Sequence, residues 1–261
     1  MLRQFLPYCY TAEDELRELG QASQVSLGSH IRVLVWNIYK AKKSNWITDF
    51  KKLAFDKELV LLQEAVTNAP SDHLFEQDNA LQWVMARSFK YPKTEIETGV
   101  KTGCLAATSA RQLYISEHTE PLLQTRKLLL STQYPIAGSS QNLLVINMHA
   151  INFVATKKYV AQLEQLGAAL ADHDGPILLA GDFNTWSAAR LESFQSVAMG
   201  SGLVEAVMAR QGRAATLNLH LDHVFYRGLS LQSIDSLEHV RSSDHAPIVA
   251  SFNVDGIAPS S

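Results

Sequence analysis

The sequence predicts an α/β domain of two mixed β-sheets packed face to face, and three observations support this. Short apolar runs bounded by turn residues recur at 59–62, 143–146 and 177–180, each too brief for a helix, and 31–37 is a similar run interrupted by Arg32. Helical periodicity is confined to a few segments, chiefly 46–54, 156–171 and the stretch after Ser187. The last third is mostly extended, over 221–226, 234–240 and 248–254, so the order is strands, few helices, then strands again. That fits packed mixed sheets better than a regular βαβ alternation. The 261 residues are 46% hydrophobic and 19% charged, ordinary values for a chain that builds one sizeable core. No repeat, low-complexity stretch or linker marks a boundary. The expected organisation is an arm or leader over 1–29, a single domain over 30–255 and a tail over 256–261.

Taken in order, residues 11–19 read as a short capped helix and 20–29 as a loop. The strand at 31–37 ends in Asn37. Ser44-Asn45 can cap a helix that sets Trp46, Ile47, Phe50, Leu53 and Ala54 on one face. A buried strand at 59–62 ends in Gln63-Glu64, Pro70-Ser71 opens a short helix, and a strand lies around 83–85. Apolar segments follow near 104–108, 128–131 and 143–146, with Gly138-Ser139-Ser140 as a turn between them. A longer helix over 156–171 buries Val160, Leu163, Leu166 and Leu170. The breaker Gly175-Pro176 opens the strand that ends at Gly181, and Ser187 caps a helix carrying Leu191, Phe194 and Val197.

Composition narrows the function classes. A formal net charge of −3 without a basic tail gives no global field toward nucleic acid or anionic membrane, so binding of a polyanion must be local. Cys9 and Cys104 are the only cysteines, and neither sits in a metal or redox motif. Two thiols in a chain of this length point to a reducing compartment. With neither a signal peptide nor a run of transmembrane length, the expectation is a cytoplasmic protein. No protein partner can be inferred.

The chemistry gathers at strand ends. Alternation along an extended chain points Asp182 and Asn184 the same way and Phe183 the other, presenting a carboxylate and an amide together at the lip of a core strand. Taken singly, such residues are commonly turn formers, Glu64 a solvated loop acid and His149 a core-edge histidine. They are, however, an ordered series: Trp36-Asn37, Gln63-Glu64, Asn147-Met148-His149, Gly181-Asp182-Phe183-Asn184, Asp222-His223 and Ser243-Asp244-His245.

This series resembles the endonuclease/exonuclease/phosphatase superfamily, over about residues 31–254. The stretches Val35-Trp36-Asn37-Ile38-Tyr39-Lys40, His149-Ala150-Ile151-Asn152-Phe153 and Phe225-Tyr226-Arg227-Gly228 look most like its small bacterial YafD-type proteins. The resemblance implies a DNase I-like four-layer sandwich, with helices outside the two sheets, and an Mg2+-dependent phosphoesterase, with Mn2+ as the alternative ion. Hydrolysis of a phosphoester requires neutralised phosphoryl charge, an activated water and a protonated leaving oxygen. By resemblance Glu64 is the first metal ligand, with Asp244 a second contact and Asn37 supporting the site. Asp182 and Asn184 match the pair that orients water and holds the phosphate. His245 matches the active-site histidine, fixed by Asp222, and His149 the second histidine, which protonates the leaving group or binds a phosphate oxygen. The general base is left open.

For substrate, Lys40, Lys42 and Lys43 form one cationic cluster near the expected mouth and Lys157 and Lys158 another, while Tyr39, Phe153 and Trp186 are candidates to stack on a base or ring. Trp46 belongs to the core by its helix position. These clusters tilt the expectation toward a phosphodiester in nucleic acid, with a phospholipid headgroup or a sugar or inositol phosphate as the alternative. A catalytically inactive binding protein on the same fold is the contrary reading, opposed by the presence of Glu64, Asp182, Asn184, Asp222, Asp244 and His245 together.

Overall fold

A computed structural model describes residues 6–10, 15–78, 80–207 and 221–257. The first sheet contains β1 (Tyr8–Cys9), β2 (Leu16–Gly20), β3 (His30–Asn37), β4 (Leu59–Thr67), β5 (Gln82–Lys90) and β6 (Glu97–Cys104). The second contains β7 (Ala110–Ile115), β8 (Leu128–Pro135), β9 (Asn142–His149), β10 (Ile177–Asp182), β11 (Val204–Glu205) and β12 (Asp222–Arg227). The chain then returns to the first sheet through β13 (Leu229–Ser236) and β14 (Ile248–Val254). The first sheet runs β1-β5-β6-β4-β3-β14-β13, with β2 also on β5, and the second runs β11-β12-β10-β9-β8-β7. Four helices, α1 (Trp46–Ala54), α2 (Ala69–Glu76), α3 (Thr156–Ala171) and α4 (Ala188–Gly200), cover the outer faces among the described residues.

Strand alternation builds the four layers. In β3 and β4, Val33, Val35, Leu59 and Leu61 point inward and meet Val145, Leu178, Ala180 and Val224 of the facing sheet. Their neighbours Leu34, Trp36, Val60 and Leu62 point outward onto Trp46, Phe50 and Phe75 of α1 and α2. On the other side Leu144, Ile146, Ile177 and Leu179 pack on Tyr159, Leu163, Leu166 and Phe194 of α3 and α4. These strands are apolar on both faces because both faces are covered. The expected sandwich is therefore the fold observed.

Within it lie two parallel crossovers, β3-α1-β4 and β9-α3-β10. Parallel strands end at the same edge, and an antiparallel neighbour begins there. The register sets Asp182 opposite His149 on one side and Asp222 on the other. In the first sheet β14 runs antiparallel to β3, with Ile248 opposite Val35, so the turn before β14 lies beside Asn37. The strand ends converge for this reason.

Several expectations are corrected. Residues 11–14 lie outside the described residues, but Leu16–Gly20 is a strand paired antiparallel with β5, not part of a helix. With only Leu16 and Leu19 apolar, a helix there buries little, whereas pairing on the open edge of β5 satisfies the backbone and buries Leu19. The described part of 1–29 is thus joined to the first sheet through β1 and β2. The apolar segment near 104–108 is mostly the stretch after β6, which ends at Cys104, and the extended segment at 234–240 is a strand over Leu229–Ser236. In α3 the buried position is Tyr159, with Val160 half-buried. Pro70-Ser71 does open a short helix, α2, and Asn68 caps it, its side chain accepting from the Ser71 N–H in a capping box.

Candidate active site

The common edge of the two sheets carries a cleft of about 330 Å3. Asn37, Tyr39, Lys40, Glu64, His149, Asp182, Asn184, Asp244 and His245 all line it, so Glu64 and His245 face one space although 181 positions separate them in the chain. Asp222 stands immediately behind, bonded to His245. Lys43 and Trp186 do not line the cleft.

Asp182 is the centre. It ends β10, 2% exposed, and Gly181 before it has φ +146, with the Met148 carbonyl oxygen only 2.0 Å from where a Cβ would stand. Glycine alone permits that approach. The Asp182 carboxylate accepts from Asn37 Nδ2 at 2.9 Å and from the Asn184 N–H at 3.0 Å. Asn184 is in the left-handed region, φ +49, and its Nδ2 donates to the Ala150 carbonyl at 2.9 Å. Burial, then the Asp222 charge, pushes the Asp182 carboxyl up to about 6.

Histidines approach Asp182 Oδ2 from both sides, His149 Nε2 at 3.5 Å and His245 Nε2 at 3.8 Å. Burial pulls His245 down, but the hydrogen bond from its Nδ1 to Asp222 at 2.6 Å and the charges of Asp222, Asp182 and Asp244 outweigh it, holding the imidazole at about 9. His245 is also fixed through its backbone: Trp36 Nε1 donates to its carbonyl at 3.0 Å. His149 is held well below the usual range by burial and then by the cations Lys127 and Lys40. Lys127 Nζ lies 3.1 Å from His149 Nε2, and an ammonium only donates, so this nitrogen accepts and the ring proton resides on Nδ1. Of the two roles expected for His149, proton donation from Nε2 is the one this geometry opposes.

Glu64 reaches the cleft through a bulge. The pairing of β4 with β6 slips between Leu62 and Ala65, and Glu64 takes φ +51. Its Oε2 pairs with Lys40 Nζ at 2.6 Å. Gln63 turns inward instead: its Nε2 donates to Asn147 Oδ1 at 2.8 Å, and Asn147 Nδ2 donates to the Lys101 carbonyl at 3.1 Å. This buried amide pair ties the sheets together beneath the site.

The lysine clusters do not form an open basic groove. Lys40 is paired with Glu64, Lys42 lies over the Tyr39 ring, and Lys43 donates to the carbonyls of Arg241 and Ser243 at 2.9 and 2.8 Å, stapling the His245 turn. Lys157 and Lys158 are exposed. Trp186 does not line the cleft, but its Nε1 donates at 2.8 Å to Oδ1 of Asn152, which does.

Residues unmarked by the sequence complete the site. Lys127 precedes β8, which is antiparallel to β9, so the start of β8 lies beside His149; only the register reveals this. Arg190, fully buried on α4, donates to the carbonyls of Ile151, Asn184 and Val154 at 2.9, 3.3 and 2.7 Å, locking the two loops that carry Asn184 and Phe153.

The donor set suits a hard divalent cation. Glu64, Asp182 and Asp244 offer carboxylate oxygens and Asn37 an amide oxygen into one cleft, the chemistry magnesium prefers. Asp182, Asp222 and His245 also bring ligand atoms within 4.8 Å of one another. The Asp222–His245 hydrogen bond commits that trio to orienting an imidazole, which a hard cation has little use for.

The model of a family described as "Endonuclease/Exonuclease/phosphatase family" matches residues 34–245. A Yersinia enterocolitica relative, UPF0294 protein YE0917, is 39% identical over 241 residues, covering 90% of each chain. Among solved structures, an endonuclease/exonuclease/phosphatase from Beutenbergia cavernae aligns with TM-score 0.66 at 17% identity, over 87% of this chain and 72% of that one. D. rerio TDP2 complexed with a single-strand DNA product aligns with TM-score 0.61 at 14% identity, over 87% and 100%.

Proposed function

The chain belongs to the endonuclease/exonuclease/phosphatase family, and from that premise we propose that it is an Mg2+-dependent phosphodiesterase working in the cytoplasm. The observation that carries this reading is the convergence on Asp182: groups from the ends of β3 and β9, and from the turns after β10 and before β14, surround one buried carboxylate.

Glu64, Asn37 and Asp244 would hold the cation. When bound, it neutralises phosphoryl charge and positions the ester. Asp182, fixed by Asn37 and Asn184 and ionised above about pH 6, orients the attacking water and accepts its proton. Asn184 is directed by its left-handed backbone and its bond to Ala150. His245, cationic up to about pH 9 through Asp222, donates from Nε2 to a phosphoryl oxygen. Lys127 adds a second cation at the His149 side, and neutral His149 fixes its position.

The phosphodiester of a nucleic acid is a second reading, supported by the DNA product in the TDP2 structure and the exposed Lys157 and Lys158. The engagement of Lys40 and Lys43 weakens it.

The test is hydrolysis of a generic aryl phosphodiester by purified protein with magnesium. Activity should vanish in excess chelator and return with added magnesium. Equal turnover in chelator would refute the reading.

A further inference from the structure

We infer that the outer rim of this cleft is a docking surface for an anionic phospholipid membrane, and that the phosphodiester cleaved here is presented at that surface. The inference rests on the phosphodiesterase reading for the cleaved bond, but the docking surface stands on its own observations.

The first is where apolar side chains are left in water. Leu122 is 86% exposed, Phe153 71%, Trp186 48% and Leu123 44%. They sit on three loops joined at Asn152. Its N–H donates to Glu120 Oε1 at 3.0 Å, and its Oδ1 accepts from Trp186 Nε1 at 2.8 Å and from the Phe153 N–H at 2.8 Å. Leu122 and Leu123 ride on a closed turn, with Glu120 N–H on the Thr125 carbonyl and Gln124 N–H on the Glu120 carbonyl, at 2.9 and 3.0 Å. Phe153 is held with φ +53, which a bulky residue rarely adopts. The apolar tips are therefore fixed in place, not frayed. Scattered exposed hydrophobics are ordinary; large ones gathered round a cleft mouth mark an interaction site.

The second observation is charge. Arg126, three residues after Leu123, and Lys157 and Lys158, four and five residues after Phe153, are exposed, and the Arg126 charge also acts on the buried Glu15. The first turn of α3 carries both lysines and no acid, and its N-terminus has no side-chain cap, so the positive end of the helix adds to theirs. Glu117 is exposed on the same side, whereas Glu120 turns inward onto Thr125 and Asn152. Exposed apolar tips with exposed cations in the same segments match lipid headgroups and the acyl boundary beneath them. Leu123 and Phe153 also line the cleft together with Phe89, Val100 and Leu128, so apolar surface continues from the rim into the site. No helix of the described residues is long and apolar enough to cross a membrane.

The experiment is co-sedimentation of the full chain with vesicles of phosphatidylcholine, with and without phosphatidylglycerol. A labelled single-stranded oligonucleotide and the soluble aryl phosphodiester are assayed in the same preparation. The wild type should sediment with the anionic vesicles. Leu122→Asp should weaken that binding at least tenfold while cleaving the soluble ester as well as wild type, since Leu122 does not line the cleft. Arg126→Glu should weaken binding less, and most at low salt. No sedimentation of wild type with anionic vesicles, or equal sedimentation of Leu122→Asp, would overturn the inference. So would oligonucleotide binding that is lost in Leu122→Asp when vesicles are not bound. Cleavage of the soluble ester without vesicle binding would sink the surface and spare the phosphodiesterase. Vesicle binding without any cleavage would do the reverse.

Discussion

The two sides of the cleft present the same side chain to the same oxygen and obtain opposite charge states. His149 and His245 stand 3.5 and 3.8 Å from Asp182 Oδ2. His149 is the more deeply buried and has Lys127 at its Nε2, so its ring stays neutral. His245 has Asp222 at its Nδ1 and is held up at about 9. Burial disfavours the cation on both sides; the partner's sign decides where each settles. A histidine's role is therefore read from what its other nitrogen touches.

The largest expected effect comes from breaking the His245 side. His245→Ala should lower kcat/KM by about 10^3, and Asp222→Asn by about 10^2, while circular dichroism shows a folded protein. If Asp222→Asn turns over at the wild-type rate, the carboxylate is not what distinguishes the two sides. The pH profile of the wild type should rise through about 6 as Asp182 ionises and fall through about 9 as His245 loses its proton. A bound cation's charge moves both limbs down.

A second effect extends the comparison to a buried cation whose charge partner does not reach it by a hydrogen bond. Lys101 is fully buried, its Nζ has no hydrogen-bond partner among the described residues, and it lies 3.6 Å from the centroid of the Phe75 ring. Burial lowers it to about 7 despite the Asp72 charge. The unfolded chain then binds more protons between about pH 7 and its ordinary 10.5, so stability rises with pH across that window. Below about 7 both states carry the charge and the penalty is constant. Lys101→Met should stabilise the protein at pH 7 by roughly 3 kcal/mol in urea unfolding, an advantage that shrinks toward pH 10. A destabilised variant at pH 7 would show that the ammonium is satisfied in the fold.

The smallest effect sharpens the His149 side. Lys127→Met should raise the pKa of His149, read by NMR titration of its ring proton, and lower kcat/KM about tenfold. An unmoved His149 would remove Lys127 from the causes of its neutrality and leave burial and the Lys40 charge.

Much of the site was legible because strand alternation is strictly periodic. Asp182 follows from reading 177–182 as extended, whereas Asn184 lies past the end of the strand and is aimed by a left-handed backbone that alternation does not describe. Glu64 was legible as a residue but not as a direction, because the bulge that turns it into the cleft is a mismatch between β4 and β6. Lys43 and Lys127 could not be told apart in the chain: both are cations beside apolar runs, yet one staples carbonyls and the other lines the cleft. Residues 16–20 misled because local pattern favoured a helix, while the open edge of β5 offered pairing that no local window contains.

The sequence by itself determined which segments are core strands and which are helices, since short apolar runs bounded by turn residues and helical periodicity mark them, and it determined which polar residues stand at strand ends. Tertiary structure alone decided how those residues are charged and aimed, because a pKa and a rotamer answer to partners on other elements, from 22 positions away for Lys127 and His149 to 209 for Trp36 and His245. Asp182 reaches Asn37 across 145 residues, and neither end of that bond can be read from its own neighbourhood.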